Sequence, residues 1–527
     1  MRTREIRRDM DVDFLKSVHT FKGNHTFSRS VCKMIPRSVG LSALRVSVYD
    51  KLSKFAHGLW FRIFPDGLAM QQILDFLQSR QDSALHELCQ FLRIPSVSAD
   101  SAYAPQMRAC ADWVQQAMTD AGLQSTIYPT PGHPIVYGER LVDPALPTVL
   151  IYGHYDVQPP DPLNLWTTPA FEPTIRDGRL YARGATDDKG QLFTHLKSIQ
   201  AWMQVNGGLP LNVKVLIEGE EECGGINLDD FLKTHQDLLR ADVAVVSDTS
   251  QYGDGIPAIT CGLRGIVAAE VRLRGPSKDL HSGVYGGSIA NPVNALTRMC
   301  GALIGPDGRV QIPGFYDDVV DLTVEERAGY AALPFTEADF LKEVGSGAVF
   351  GEQGWSTLER RTARPTCDIN GIVGGYTGEG PKTIIPSRAM AKITCRLVPR
   401  MTPQKVLDGL EAFLRSHCPA GIEFEFRRFH GCEAFVFDPT SDWLAAAKRA
   451  VEAAFGQPPV LFREGGSIPV VLSFKQILGI DTLLLGWGRN SDNLHSPDEH
   501  IHLQDFHRGT QASACLWKEL AAVRLNR

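Results

Sequence analysis

The chain has 527 residues, with 54 Lys and Arg against 60 Asp and Glu, for a net charge of −6. Its 43% hydrophobic and 22% charged content is that of an ordinary globular protein, and the length suits roughly two to four domains. The acidic balance argues against wholesale nucleic-acid binding, which needs a basic surface, and no apolar run approaches the ~18 residues of a membrane span. Eleven cysteines, an odd number without a Cys-x-x-Cys pair, argue against a disulfide framework and for a reducing, cytoplasmic setting.

Charge is uneven along the chain. Met1 to Ala69 holds 13 Lys/Arg and 6 Asp/Glu, a +7 segment that leaves −13 for the rest. It lacks the apolar core of a secretory signal, and Asp9, Asp11 and Asp13 sit badly in a mitochondrial presequence. An alternative is a biological start at Met70, where an amphipathic helix opens. The expectation is that Met1–Ala69 packs poorly and lies outside the fold. Beyond it, Ile73, Leu74, Phe76 and Leu77, then Leu85, Leu88 and Leu92, predict a helix pair before Pro95.

Four apolar runs follow, each bounded by Gly, Pro, Asp or Asn: Thr148–Tyr152, Val213–Ile217, Val243–Val246 and Thr482–Leu485. They read as buried strands, and Gln191 to Val205 reads as a helix between the first two. Such runs alternating with helices predict an α/β fold with a mostly parallel sheet covered on both faces. From about Leu263 to Phe429 the texture changes. Ile266–Leu273 and Ala391–Val398 alternate as half-buried antiparallel strands do, with helices predicted at Pro292–Ile304 and Pro403–His417. This reads as an α+β domain inserted into the first, giving 70–262 and 431–527 as one unit and 263–430 as the insertion.

The chemistry-bearing residues fall where the buried strands end. Thr148–Tyr152 runs into Gly153-His154-Tyr155-Asp156, and Val213–Ile217 into Glu218-Gly219-Glu220-Glu221-Glu222. Val243–Val246 ends at Ser247-Asp248, and Thr482–Leu485 is followed by Asp492-Asn493-Leu494-His495. In open parallel sheets, ligands bind beyond the carboxyl ends of the strands. A further acidic pair, Asp187-Asp188, stands before the helix, where alone it would serve as a cap. Three acids leaving one buried strand repel one another unless a cation offsets them, and imidazole with carboxylate suits zinc and related ions. Two divalent ions carry +4, which a bridging Asp, a Glu, a second Asp and a hydroxide balance. One carboxylate should stay uncoordinated, to take a proton from the attacking water.

These strings resemble one family. Gly153-His154-Tyr155-Asp156-Val157-Gln158-Pro159, Arg183–Gly190 and Glu218–Glu222 are similar to carnosinase, cytosolic nonspecific dipeptidase and related dinuclear-zinc exopeptidases and deacylases. Asp279–Gly287, Lys382–Pro386 and Glu464–Pro469 extend the likeness from about Gln71 to the C-terminus. The resemblance implies that His154 and Asp248 bind one metal, Glu222 and His495 the other, and Asp187 bridges. Asp156 would orient the His154 ring, and Glu221 would be the general base. His281 would stabilise the oxyanion in the neighbouring subunit's site, making the insertion a lid and dimerisation domain of a homodimer. Arg396 would clamp the substrate's terminal carboxylate, with Thr383, Gly465 and Ser467 adding donors.

The implied cofactor is a pair of divalent ions per subunit, Zn²⁺ with Mn²⁺ or Co²⁺ as alternatives, and the implied partner is a small peptide. Gly374–Gly380 looks like a phosphate loop but lacks its strand–loop–helix context. Two stretches depart from the family pattern: the basic segment, and Cys432–Pro439, which leaves side-chain preference open. The expected activity is hydrolysis of a dipeptide or short peptide beside a free C-terminal carboxylate. An N-acyl-amino-acid deacylase is the alternative within the class, and a non-catalytic metal-stabilised peptide-binding protein the one outside it.

Overall fold

A computed structural model of the protein describes residues 66–429, 431–466 and 468–525. The expectation for Met1–Ala69 falls outside these residues apart from Asp66–Ala69, which open a helix. That helix, Asp66–Ser79, and the next, Gln81–Leu92, are the pair expected before Pro95. They bury Ile73, Leu77, Leu88, Phe91 and Leu92, the apolar stripe that their spacing places on one face.

The larger sheet has nine strands. Its centre is Asn212–Glu218, Thr148–His154, Val243–Val246 and Thr482–Gly486, in that order and mutually parallel. Both flanks turn antiparallel: Gln124–Tyr128 and Ile135–Arg140 on one side, Ala258–Leu263 with Phe435–Val436 on the other. Val460–Glu464 pairs in parallel with Ala258–Leu263. Val149 to Tyr152 and Val243 to Val246 are fully buried, which is why these strands are apolar at every position rather than at every second one. Helix Lys189–Asn206 packs on Thr148–His154 and against Leu503–Ala521, which in turn packs on Asp442–Phe455. Buried Ala446, Ala447, Ala450, Ala512 and Ala514 let the last two helices approach closely.

The second sheet is separate and wholly antiparallel, in the order Thr366–Gly374, Arg388–Leu397, Gly265–Arg274, Glu423–Arg428. Burial alternates along Arg388–Leu397, as expected for a sheet with one covered face. That face packs on helices Pro292–Gly301 and Pro403–Ser416, forming a core of its own around Val271, Leu296, Met299, Ile393 and Leu410. Three short helices of the same region, Val324–Ala332, Glu337–Val344 and Thr357–Thr362, were not legible as periodic patterns. The first two bury no residue and rest on Thr323 and Thr336 as N-caps, so no apolar stripe marks them. A two-stranded ribbon pairs Leu280–His281 with Ile384–Ile385.

Candidate metal centre

Each parallel strand delivers its acidic or basic residue at its carboxyl end. His154 is the last residue of Thr148–His154 and fully buried. Its Nδ1 lies 3.1 Å from the backbone carbonyl of Asp156, which only accepts, so Nδ1 carries a proton and Nε2 is the nitrogen turned to the site. The Asp156 carboxylate, 3.4 Å from the same Nδ1, accepts a hydrogen bond from the Glu222 backbone N–H at 3.0 Å. Asp156 thus fixes the ring mainly through its backbone, while its side chain holds the turn that carries Glu221 and Glu222.

The Nε2 of His154 faces carboxylate oxygens, Asp187 Oδ1 at 3.2 Å and Asp248 Oδ2 at 3.8 Å, and makes no hydrogen bond of good geometry. Across the same carboxylate, His495 Nε2 is 2.9 Å from Asp187 Oδ2 and 3.4 Å from Glu222 Oε2. Asp187 therefore faces both imidazoles, one with each oxygen. His154, Asp187 and Asp248 form one group with ligand atoms within 4.8 Å of one another; Asp187, Glu222 and His495 form a second. A buried Nε2 against two anionic oxygens calls for positive charge between them: Asp156 and Asp187 outweigh burial and hold the His154 pKa well above the usual imidazole range, and the donor set fits two divalent ions sharing one carboxylate.

Electrostatics tell the same story. Burial pushes the Glu222 carboxyl up to about 8, with the charge of Asp187 adding to the effect. Asp248 goes well above the carboxylate range for the same two reasons. At Asp187 burial is outweighed by the pull of His154 and His495, and its carboxyl falls below the usual range. Glu221 is raised chiefly by burial; it lies close enough to feel His154, Asp187 and His495 but belongs to neither ligand group.

The remaining candidates sit elsewhere. Arg396 and Gly465 line a cavity of about 730 Å³ together with Arg264, Arg361 and Glu464. Crowding there explains the glycine: a Cβ at 465 would meet the Arg361 carbonyl oxygen at 2.6 Å. Thr383 is not with them. It lies exposed beside the ribbon, its carbonyl accepting from Ser282 N–H at 3.0 Å, next to His281, which is also exposed. The His281 Nδ1 accepts from Gly283 N–H at 3.0 Å. Ser467 lies outside the described residues.

Some supporting residues escaped the sequence reading. The Glu499 carboxylate, fully buried, accepts from Arg183 Nη1 (2.7 Å) and from the backbone N–H groups of Gly184, Thr186 and Asp187 (2.9, 3.0 and 3.1 Å). It is the hub on which the Asp187 loop is wound. Gln158 Nε2 donates to Glu222 Oε2 at 2.7 Å, and Asp188 Oδ2 accepts from His154 N–H at 3.3 Å. Glu499 follows His495 closely in sequence, yet its partners lie more than 300 positions away, so only the fold reveals it.

Residues 150–519 match Peptidase family M20/M25/M40. The chain belongs to this family. It is 33% identical over 476 residues to the Cys-Gly metallodipeptidase dug1 of Schizosaccharomyces pombe, covering 86% of this chain and 99% of that one. It is 30% identical to the human Beta-Ala-His dipeptidase, over 88% and 96% of the two chains. Among solved structures, the M20 family metallo-carboxypeptidase Sso-CP2 from Sulfolobus solfataricus superposes with a TM-score of 0.75 at 33% identity, covering 84% of this chain and 99% of that one. This M20 chain is accordingly a peptidase, and its parallel-centred sheet with a separate antiparallel unit is the architecture of its structural relatives.

Proposed function

We propose that this chain is a metal-dependent dipeptidase that cleaves the amide bond next to a free C-terminal carboxylate. The observation that carries the reading is Asp187, whose two oxygens face two imidazoles while Glu221 stands outside both ligand groups. His154 and Asp248 would hold one ion, Glu222 and His495 the other, with Asp187 common to both. Two divalent ions, when bound, polarise the scissile carbonyl and bring the pKa of an attacking water down toward ~7. Zn²⁺ is our first assignment, with Mn²⁺ or Co²⁺ compatible with the same oxygen and nitrogen donors.

The chain's own residues do the rest. Glu221 accepts the water's proton at its carboxylate and returns it to the leaving amine nitrogen, so that the amine departs neutral. Asp156 holds the His154 ring in the tautomer that presents Nε2. Arg396, on the wall of the arginine-lined cavity, would grip the terminal carboxylate with parallel hydrogen bonds, Gly465 and Ser467 adding backbone or hydroxyl donors. The names of the relatives support dipeptides over acylated amino acids, and the deacylase alternative is not favoured.

In the same reading, 263–430 is a lid and dimerisation domain and the protein a homodimer. His281 and Thr383 would serve the neighbouring subunit's site, His281 as the donor to the oxyanion. Their common exposure on one ribbon supports this, as do exposed Val284 and Tyr285 beside it and Ile372 and Val373 on the edge strand Thr366–Gly374. We assign the protein to the cytoplasm; the cysteines of the described residues are free thiols, which suits a reducing compartment. No helix among the described residues is long and apolar enough to cross a membrane.

The test is a panel of dipeptides, C-terminally amidated dipeptides and N-acyl amino acids, assayed with the zinc-loaded enzyme and with Glu221→Gln. Free dipeptides should be cleaved, amidated ones poorly, and Glu221→Gln should be inactive with its metal retained. Full activity of Glu221→Gln, or exclusive use of acylated amino acids, would overturn the reading.

A further inference from the structure

A second assembly of metal-ligand type lies behind the loop that carries His495. Asp492, His500 and His502 bring one ligand atom each within 4.8 Å of the others. Asp492 is fully buried, and its two oxygens are used differently. Oδ2 accepts from the Arg489 backbone N–H at 2.8 Å and from Thr186 Oγ1 at 3.1 Å. Oδ1 is buried without a hydrogen-bond partner. The guanidinium of Arg489 is committed to Asp505 and Asp254, and Arg179 lies opposite His502 on the neighbouring strand.

What Oδ1 meets instead are two imidazole nitrogens, His500 Nε2 at 3.6 Å and His502 Nε2 at 3.9 Å. His500 Nδ1 lies 2.9 Å from the carbonyl of Asp498, an acceptor only, so Nδ1 bears the proton and Nε2 presents a lone pair to the carboxylate. At 3.6 and 3.9 Å the contacts are too long for a shared proton and within a few tenths of an ångström of the ~3.3–3.6 Å that separates ligands around one tetrahedral ion at ~2.0–2.2 Å, so small side-chain shifts would close the site. A ring fixed by a carbonyl on its far nitrogen is also how metal-bound histidines are usually held.

We propose that Asp492 Oδ1, His500 Nε2 and His502 Nε2 bind a divalent transition-metal ion of the zinc class, separate from the Asp187 centre. The side chain of His502 is 17% exposed, so the fourth position opens to water and gives the ion its way in. The role is structural. The ion ties strand His500–His502 to the loop that bears His495, and through the Thr186 hydroxyl it steadies the residue before Asp187.

The test uses the full-length chain carrying Asp187→Ala, which removes the carboxylate common to the other two groups. The protein is stripped of metal, loaded with Co²⁺, desalted, and read by elemental analysis and by the visible absorption of Co²⁺. About one ion per chain should remain, with the intense absorption of a four-coordinate nitrogen–oxygen site, and adding His502→Ala should remove both signals. If His502→Ala is not folded by circular dichroism, His502→Gln replaces it. If Asp187→Ala is not folded, the same one-ion loss is read between the otherwise native chain and its His502 variant. No bound Co²⁺ in Asp187→Ala, or equal Co²⁺ with and without His502, would overturn the proposal.

Discussion

The carboxyl edge of the parallel sheet and the ribbon of the antiparallel unit carry functional residues in opposite ways. At the sheet edge, His154 and Asp187 are buried and Glu222 and Asp248 half-buried, on or beside strand ends or a loop pinned by Glu499, and His495 alone of the five stands exposed on its loop. On the ribbon, His281 and Thr383 are exposed. The first region gathers its candidate metal ligands from within the chain; the second presents its groups outward. Preorganisation thus lies in the sheet, and the proposed dependence on a second subunit rests on the ribbon.

The sharpest way to break that contrast is to remove the proton carrier at the sheet edge. Glu221→Gln should lower kcat by about 10³-fold or more while zinc content, measured by elemental analysis, stays at the wild-type value. Loss of the metal along with activity would make Glu221 a ligand instead. Mixed dimers sharpen the other half: neither His281→Ala nor Glu221→Ala dimers should work alone, whereas co-expressed heterodimers should recover about one working site. Absence of rescue would return His281 to a role within its own chain.

Arg396→Ala should cost about 1.5–3 kcal/mol in kcat/KM for free dipeptides, roughly 10- to 150-fold, and far less for amidated ones. Glu499→Gln keeps the shape but weakens the hub under Asp187; metal affinity, measured by competition with a chelator, should fall about 10- to 100-fold.

The last effect is on stability rather than activity. Glu218 accepts from the Tyr152 hydroxyl at 2.5 Å, and burial pushes its carboxyl up to about 8. A folded-state pKa above the unfolded one contributes stability below the unfolded value that is lost as pH rises through the folded value. Between about pH 5 and 8, Glu218 should therefore take away up to about 1.4 kcal/mol per pH unit, and Glu218→Gln should flatten the pH dependence of unfolding by that amount.

How much of this was legible follows the same divide. The central strands could be read because total burial makes every residue apolar, and the acids and histidines stand out against such runs. The ligand set needed the family likeness as well, since Asp187 alone reads as a helix cap. The antiparallel strands Ile266–Leu273 and Ala391–Val398 showed their period of two. Gln124–Tyr128 buries no residue completely, and the capped helices Val324–Ala332 and Glu337–Val344 bury none, so their sequences carry no comparable signal. Glu499 was invisible because a buried carboxylate is defined by its partners, and those of Glu499 lie more than 300 positions away.

The most direct measurement is anomalous diffraction at the zinc edge from crystals of the zinc-loaded protein. Besides the separate peak proposed at Asp492, His500 and His502, the account predicts two peaks about 3.5–4 Å apart, flanking the Asp187 carboxylate and in reach of His154 and Asp248 on one side and Glu222 and His495 on the other. A single peak there, or none, would contradict it.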